Sequence, residues 1–274
     1  MPERLLPNGV RLHWREAGDH GRPPIVWIHG GSIEDSSMMV GDLEPFFDRL
    51  RVLCPDTRGH GLSSKFERAE DYTYPRKAED VRLWLDALGI ARPLWGGASM
   101  GAALSLWCAA HAPDRVRAVI SISGPPYAPL PADVAWWRAH RPLVEAGRFA
   151  EYFDANVRLR SGPEALARFK ARPERYAETI ERLTSHSVAS LLALLDETYS
   201  RDEWLADCAR ITCPVLVIAG SEDHFPTVEM SRRLMATIPR ARLAVIAGGG
   251  HFPNRTHRAE VQAVIAGFLD EIGV

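Results

Sequence analysis

The chain has 274 residues, of which 46% are hydrophobic, and its 35 acidic and 33 basic residues give a formal net charge of −2. A chain of this size can bury a large core, and its length fits one domain that carries an insertion. Charges of both signs are spread along it. We therefore expect neither nucleic acid nor an anionic membrane surface as a partner.

The sequence starts without the pattern of a leader peptide, and no apolar run approaches the roughly 18 residues of a membrane span. The four cysteines show no C-x-x-C spacing, which favours free thiols. We predict a cytoplasmic protein that acts without a membrane. Neither a metal-ligand spacing nor a dinucleotide-binding glycine loop is present, so no metal or cofactor is predicted. The sequence leaves the oligomeric state open.

From the N-terminus onward, strand-like and helix-like segments alternate. Asn8-Gly9 before Val10 predicts a hairpin turn. Helix-like segments cover 74–88, 102–112 and 258–272. Short runs that are apolar on both faces, as in a covered parallel sheet, lie at 25–28, 52–54, 94–96, 116–122, 215–219 and 243–246. This order predicts an α/β fold with a doubly wound, mostly parallel sheet.

Residues 125–210 interrupt the alternation. The segment is rich in aromatic and helix-forming residues and carries no convincing strand, which predicts a helical cap inserted into a core made of 1–124 and 211–274. Trp136 and Trp137 adjoin the hinge Pro125-Pro126-Tyr127. They are our candidates for substrate-binding residues, although aromatic side chains of such a segment are more often its own core.

Ser99 lies in Gly97-Ala98-Ser99-Met100-Gly101, between a strand-like and a helix-like segment. A Gly-x-Ser-x-Gly run at such a junction is typical of a nucleophile elbow, a turn so sharp that only small residues fit beside the serine. The alternative is a serine that merely caps the helix. We predict that Ser99 is the nucleophile.

A serine hydroxyl needs a base, and the base needs an orienting acid. Asp223 follows the strand-like run at 215–219, and His251 follows the one at 243–246. Because the ends of parallel strands meet at one edge of a sheet, we expect both to reach Ser99. Glu222 is the competitor for the acid, and the competitors for the base are His224 and His257.

An oxyanion hole is predicted from the loop His29-Gly30-Gly31-Ser32, which follows the strand-like run at 25–28. Glycine allows the backbone to approach a substrate oxygen closely. We assign one donor to the Gly31 amide and the other to the Met100 amide at the start of the helix. His29 is interpreted as a support of this loop through hydrogen bonds.

Together with the segment 56–63, these motifs resemble the α/β-hydrolase superfamily, whose catalytic residues follow the order Ser, acid, His. The resemblance covers the chain from about Pro24 to its C-terminus and implies a helical cap where 125–210 lies. The sequence departs from many relatives at 256–260, where those have Glu and Pro. Relatives that open epoxides or displace halide use Asp at the elbow, whereas Ser99 favours acyl transfer.

The resulting hypothesis is a serine hydrolase that cleaves a carboxylic ester, thioester or lactone of a small to medium apolar substrate. A small molecule is then its partner. A carbon–carbon bond hydrolase for β-diketone-like substrates is the first alternative. A peptidase is another, with Glu145, Glu151 or Asp154 of the cap as possible amine ligands. A non-catalytic member of the fold that binds a small ligand is the alternative outside enzymes.

Overall fold

A computed structural model describes residues 2–31 and 34–274. The strands are β1 (Glu3–Leu5), β2 (Arg11–Gly18), β3 (Pro24–Ile28), β4 (Arg51–Pro55), β5 (Leu94–Ala98), β6 (Val119–Ile122), β7 (Val215–Gly220) and β8 (Ala241–Ile246). The α-helices are α1 (Tyr74–Ala87), α2 (Met100–His111), α3 (Pro131–Glu145), α4 (Phe149–Lys170), α5 (Pro173–Thr184), α6 (Val188–Ser200), α7 (Val228–Thr237), α8 (Pro253–Thr256) and α9 (Arg258–Glu271).

The strands form one sheet in the order β1-β2-β4-β3-β5-β6-β7-β8. Strands β1 and β2 form the hairpin expected at Asn8-Gly9, and β2 also pairs antiparallel with β4. All other pairs are parallel. The predicted α/β class with a doubly wound, mostly parallel sheet is confirmed. The sixth strand begins at Val119 rather than at 116, and β8 begins at Ala241 rather than at 243.

Helices cover both faces of the sheet, which explains why the central strands are apolar on both sides. On one face, α1 and α2 bury Trp84 and Leu104 against strand residues such as Val26. On the other, α9 buries Phe268 against strand residues such as Ile120.

All four cysteines are buried and free. Within the described ranges, no helix is long and apolar enough to cross a bilayer.

The helices α3 to α6 lie between β6 and β7 as a helical insertion, which we call the cap. They pack around a separate apolar cluster that includes Trp137, Tyr152, Phe153 and Leu191. Helix α4 is broken at Gly162, whose φ of 79° lies outside the helical region. Because the cap has its own core, its side chains are positioned by packing between helices rather than by strand ends.

Candidate active site

Ser99 occupies a strained turn between β5 and α2. Its φ of 51° and ψ of −114° are unusual for a residue with a side chain. A Cβ on Gly97 would overlap the carbonyl oxygen of Ile28 in the neighbouring strand β3, and a Cβ on Gly101 would overlap the same oxygen. The two flanking glycines are therefore required by the close approach of β3 to the turn, which lifts the Ser99 hydroxyl above the sheet.

The structure places His251 within hydrogen-bonding distance of both Ser99 and Asp223. Nε2 of His251 lies 2.9 Å from Oγ of Ser99. On the other side of the imidazole ring, Nδ1 lies 2.9 Å from Oδ2 of Asp223. Asp223 follows β7 and His251 follows β8, while Ser99 follows β5. The shared edge of the sheet thus joins residues that are 152 positions apart in the chain.

Asp223 is well buried, with 6% of its surface exposed. Burial alone would raise the pKa of its carboxyl group. The hydrogen bond and charge of His251, together with the amide of Phe225 at 3.0 Å, instead hold this pKa below its usual value. The carboxylate is therefore ionised at neutral pH and can stabilise a positive charge on His251.

The competing residues are arranged differently. Glu222 is exposed, although it is the direct neighbour of Asp223 in sequence. His257 is half-buried, and its Nδ1 lies 2.9 Å from Oγ1 of Thr256. For the described part of the chain, the geometry thus pairs Ser99 with the histidine and the acid that the sequence favours.

The loop after β3 lies beside the start of α2. A Cβ on Gly31 would be 3.7 Å from the Cβ of Met100, so the two residues are neighbours across the turn. Met100 is the first residue of α2, where backbone amides have no partner within the helix. Ser32 of the sequence-predicted loop lies outside the described residues. The amides of Gly31 and Met100 remain our candidates for the oxyanion hole.

Hydrogen bonds fix Gly30, the residue before Gly31, on both sides. The buried ring of His29 places Nδ1 2.6 Å from the Gly30 carbonyl oxygen, and its Nε2 accepts from the Thr57 amide at 3.1 Å. The amide of Gly30 donates to Oε2 of Glu34 at 2.8 Å. The supporting contacts expected of His29 are therefore present in the structure.

The sequence analysis missed a second support of this loop. Glu34 is 3% exposed, and its Oε1 lies 2.7 Å from Nη2 of Arg255. Arg255 lies on α8, the short helix that begins two residues after His251. The pair ties the loop that carries Gly31 to the segment that carries His251. A lone Glu and a lone Arg in distant loops give no pattern that the sequence alone could reveal.

A cavity of about 630 Å³ lies between the sheet edge and the cap and includes Ser99, His251 and Gly31 in its wall. Trp136 and Trp137 are not among the described residues that line it. Trp137 is buried in the cap core, where its ring stacks on Tyr199 and its Nε1 donates to Asp196 at 2.9 Å. Trp136 stacks on His140.

Trp136 also lies 6.1 Å from the ring of Tyr152 on α4, so both tryptophans pack within the cap, and the cavity wall does not support their assignment to the substrate site. The cap residues in the cavity wall come mainly from α4, α5 and α6. They include the aromatic residues Tyr152, Phe153, Phe169 and Tyr199.

Among the described residues, no group of His, Cys, Asp or Glu side chains could hold a metal ion.

Comparison with known proteins agrees with the architecture. Residues 23–257 match the α/β hydrolase fold family. The chain belongs to this family.

Individual relatives are similar over nearly their whole length. The 3-oxoadipate enol-lactonase 2 of Acinetobacter baylyi is 28% identical over 251 residues, covering 89% of this chain and 88% of that protein. Esterase YbfF of Escherichia coli is 26% identical over 255 residues, covering 92% and 95%. The crystal structure of the enol-lactonase from Burkholderia xenovorans LB400 superposes with a TM-score of 0.83 at 25% identity, covering 98% of this chain and 100% of that one. These names indicate a hydrolase.

Proposed function

We propose that the protein is a serine hydrolase that cleaves a carboxylic ester, thioester or lactone through an acyl-enzyme. The observation that supports this most is the continuous line from Ser99 through His251 to Asp223, with both distances at 2.9 Å. Such a line has the geometry needed to activate a weak nucleophile. The enol-lactonases and the esterase among the similar proteins also act on bonds of this class, as their names say.

In the proposed reaction, His251 accepts the Ser99 proton at Nε2 while the Ser99 oxygen attacks the substrate carbonyl carbon. The oxygen of that carbonyl becomes negative and accepts hydrogen bonds from the amides of Gly31 and Met100. His251 then donates the proton to the leaving oxygen or sulfur. Water, deprotonated by the same imidazole, releases the acyl group and restores the Ser99 hydroxyl. Asp223 stabilises the positive imidazolium in both halves of the reaction.

Peptidase activity toward a free N-terminus is less well supported. A bound amine would need a carboxylate of the cap that is free to receive it. Glu145 pairs with Arg141 at 2.8 Å, Glu151 pairs with Arg148, and Asp154 pairs with Lys170. All three candidates therefore have cationic partners already.

The proposal is tested by turnover of a panel of p-nitrophenyl esters, lactones, thioesters and a β-diketone, followed as colour or acid release. We expect ester and lactone hydrolysis by the parent, and for Ser99→Ala a loss in kcat on the order of 10⁶. A fluorophosphonate probe should label the parent and leave Ser99→Ala unlabelled. The control is Ser105→Ala, because Ser105 lies in α2, the helix that follows Ser99, and its hydroxyl donates to the Gly101 carbonyl at 2.9 Å.

Activity of Ser99→Ala close to that of the parent would refute the assignment of the nucleophile. Turnover of the β-diketone alone would favour carbon–carbon cleavage. A folded parent that neither turns over any substrate nor reacts with the probe would instead support a non-catalytic binding protein.

A further inference from the structure

The cavity that contains Ser99 has an uneven distribution of charge. Among the described residues, five arginines line it, namely Arg168, Arg172, Arg175, Arg201 and Arg255, against three carboxylates, Glu34, Asp133 and Glu222. The chain has only three lysines among its 33 basic residues, so nearly every cationic group is a guanidinium. A planar guanidinium suits two-point recognition of a carboxylate.

The arginines nearest the sheet and the hinge already have partners. Arg255 forms the ion pair with Glu34 that braces the loop after β3. Arg201 donates to the hydroxyl of Tyr74 at 2.8 Å. Each of these two guanidinium groups thus has a partner in the protein, although Nε of Arg201 is buried without a hydrogen bond in the described part of the chain.

The arginines at the junction of α4 and α5 differ. Neither Arg172 nor Arg175 has a carboxylate partner within the described part of the chain, and both are exposed. Arg175 lies over the ring of Phe169, another residue of the cavity wall, at 5.9 Å. Arg168 approaches the exposed Glu164 at 3.8 Å. Helix α5 begins at Pro173, so the positive end of its dipole falls between Arg172 and Arg175.

We infer that the substrate carries a carboxylate remote from the scissile carbonyl, and that Arg172 and Arg175 bind it at the cap end of the cavity. The inference rests on the proposed function, since it takes Ser99 as the place of bond cleavage. The substrate class is then the half-ester of a short dicarboxylic acid or a lactone with a carboxylate side chain. This inference differs from the apolar substrate that the sequence suggested.

The physical basis is charge complementarity between a mobile anion and two unpaired guanidinium groups. A carboxylate bound there gains charge-assisted hydrogen bonds, whereas a methyl group in the same place leaves the guanidinium groups with water. Because both arginines are exposed, salt should weaken the attraction. Asp133 and Glu222 are the carboxylates of the wall that oppose the anion, and neither lies at the α4–α5 junction.

The test compares p-nitrophenyl hemiglutarate with p-nitrophenyl pentanoate, two esters that differ in a terminal carboxylate. We expect the parent to prefer the hemiglutarate in kcat/KM. The double variant Arg172→Gln/Arg175→Gln should lower kcat/KM for the hemiglutarate by about 10- to 100-fold, mainly through KM. It should leave the pentanoate within about twofold. Raising the salt concentration should reduce the parent's preference.

Arg138→Gln is the matched control, because Arg138 is an exposed arginine of the cap helix α3 that does not line the cavity. It should retain the parent's preference. Arg172→Lys/Arg175→Lys should restore part of the preference, because it keeps the charge and loses the fork geometry. Equal kcat/KM of the parent for both esters, or equal losses on both esters in the double variant, would overturn the inference.

Failure of the proposed function is recognised separately by absent turnover of both esters and absent fluorophosphonate labelling. In that case, the anion site can still be tested by measuring the binding of glutarate to the parent by calorimetry. Binding that the double variant loses and Arg138→Gln keeps would support the site. No binding at millimolar glutarate would reject it.

Discussion

The edge of the sheet and the cap meet at one cavity but are built in opposite ways. At the edge, Ser99, Asp223 and His251 follow buried strands, and backbone contacts such as the approach of β3 to Gly97 decide where each lies. In the cap, helices pack through aromatic side chains, and the arginines at the α4–α5 junction are exposed. We therefore expect the proposed catalytic residues to be held more rigidly than the exposed arginines of the cap.

This difference suggests a division of roles. In the proposed function, bond cleavage depends on the residues at the sheet edge, and substrate choice depends on those of the cap. Changes at the edge should therefore reduce turnover of every substrate alike. Changes in the cap should alter ratios between substrates or the stability of the cap.

Among the substitutions that test this division of roles, we expect the largest loss of activity for Asp223→Asn. The amide cannot stabilise the imidazolium and favours the wrong tautomer of His251, so kcat should fall by about 10⁴-fold. The loss should be the same for short and long acyl chains, measured as kcat on p-nitrophenyl acetate and octanoate.

Glu222→Gln is the control, since Glu222 is exposed beside Asp223 and should change kcat by less than about twofold. If Glu222→Gln were the damaging substitution and Asp223→Asn the mild one, the role of the acid would pass to Glu222.

Most of the sheet edge could be predicted from the sequence because its pattern is local. A Gly-x-Ser-x-Gly run and polar residues after apolar strands carry their own geometric meaning. The pair formed by Glu34 and Arg255 could not be predicted in the same way. Its two side chains meet only through the tertiary fold.

The second prediction compares two glycines with positive φ, one in each region. Gly97→Ala places a methyl group against the Ile28 carbonyl, so we expect a loss of more than about 4 kcal/mol in the free energy of unfolding, or no folded protein. Gly147 of the cap has a φ of 69° and open space around it. Gly147→Ala should cost only about 1–2 kcal/mol, from backbone strain alone.

The measurement is thermal unfolding followed by circular dichroism. We expect the Tm of Gly97→Ala to fall by roughly 10 °C or more, against a few degrees for Gly147→Ala. Similar small shifts for both variants would show that the turn at Ser99 tolerates a side chain. The contrast between a rigid edge and an adaptable cap would then lose its main support.

The cap was predicted only in outline, as a helical insertion rich in aromatic residues. Aromatic composition indicates a packed cluster, yet it does not tell which rings face inward and which face the cavity. That choice depends on how the helices are rotated and on the break at Gly162. The sequence therefore could not distinguish Trp136 and Trp137, which are absent from the described cavity wall, from Phe169, which is part of it.

The smallest effects separate the two kinds of aromatic residue in the cap. Trp137→Phe removes the hydrogen bond to Asp196 and part of the stack on Tyr199, which should cost about 1–2 kcal/mol in unfolding free energy. The ratio of kcat/KM between butyrate and octanoate esters should stay unchanged.

Phe169→Leu changes the cavity wall instead, and we expect that ratio to shift by about 3- to 10-fold with little loss of stability. A shifted ratio in Trp137→Phe together with a constant ratio in Phe169→Leu would mean that the tryptophan contacts substrate, as the sequence first suggested. Substrate contact would then extend along α3 from Asp133, which is already in the cavity wall, to a residue that packs in the core of the cap.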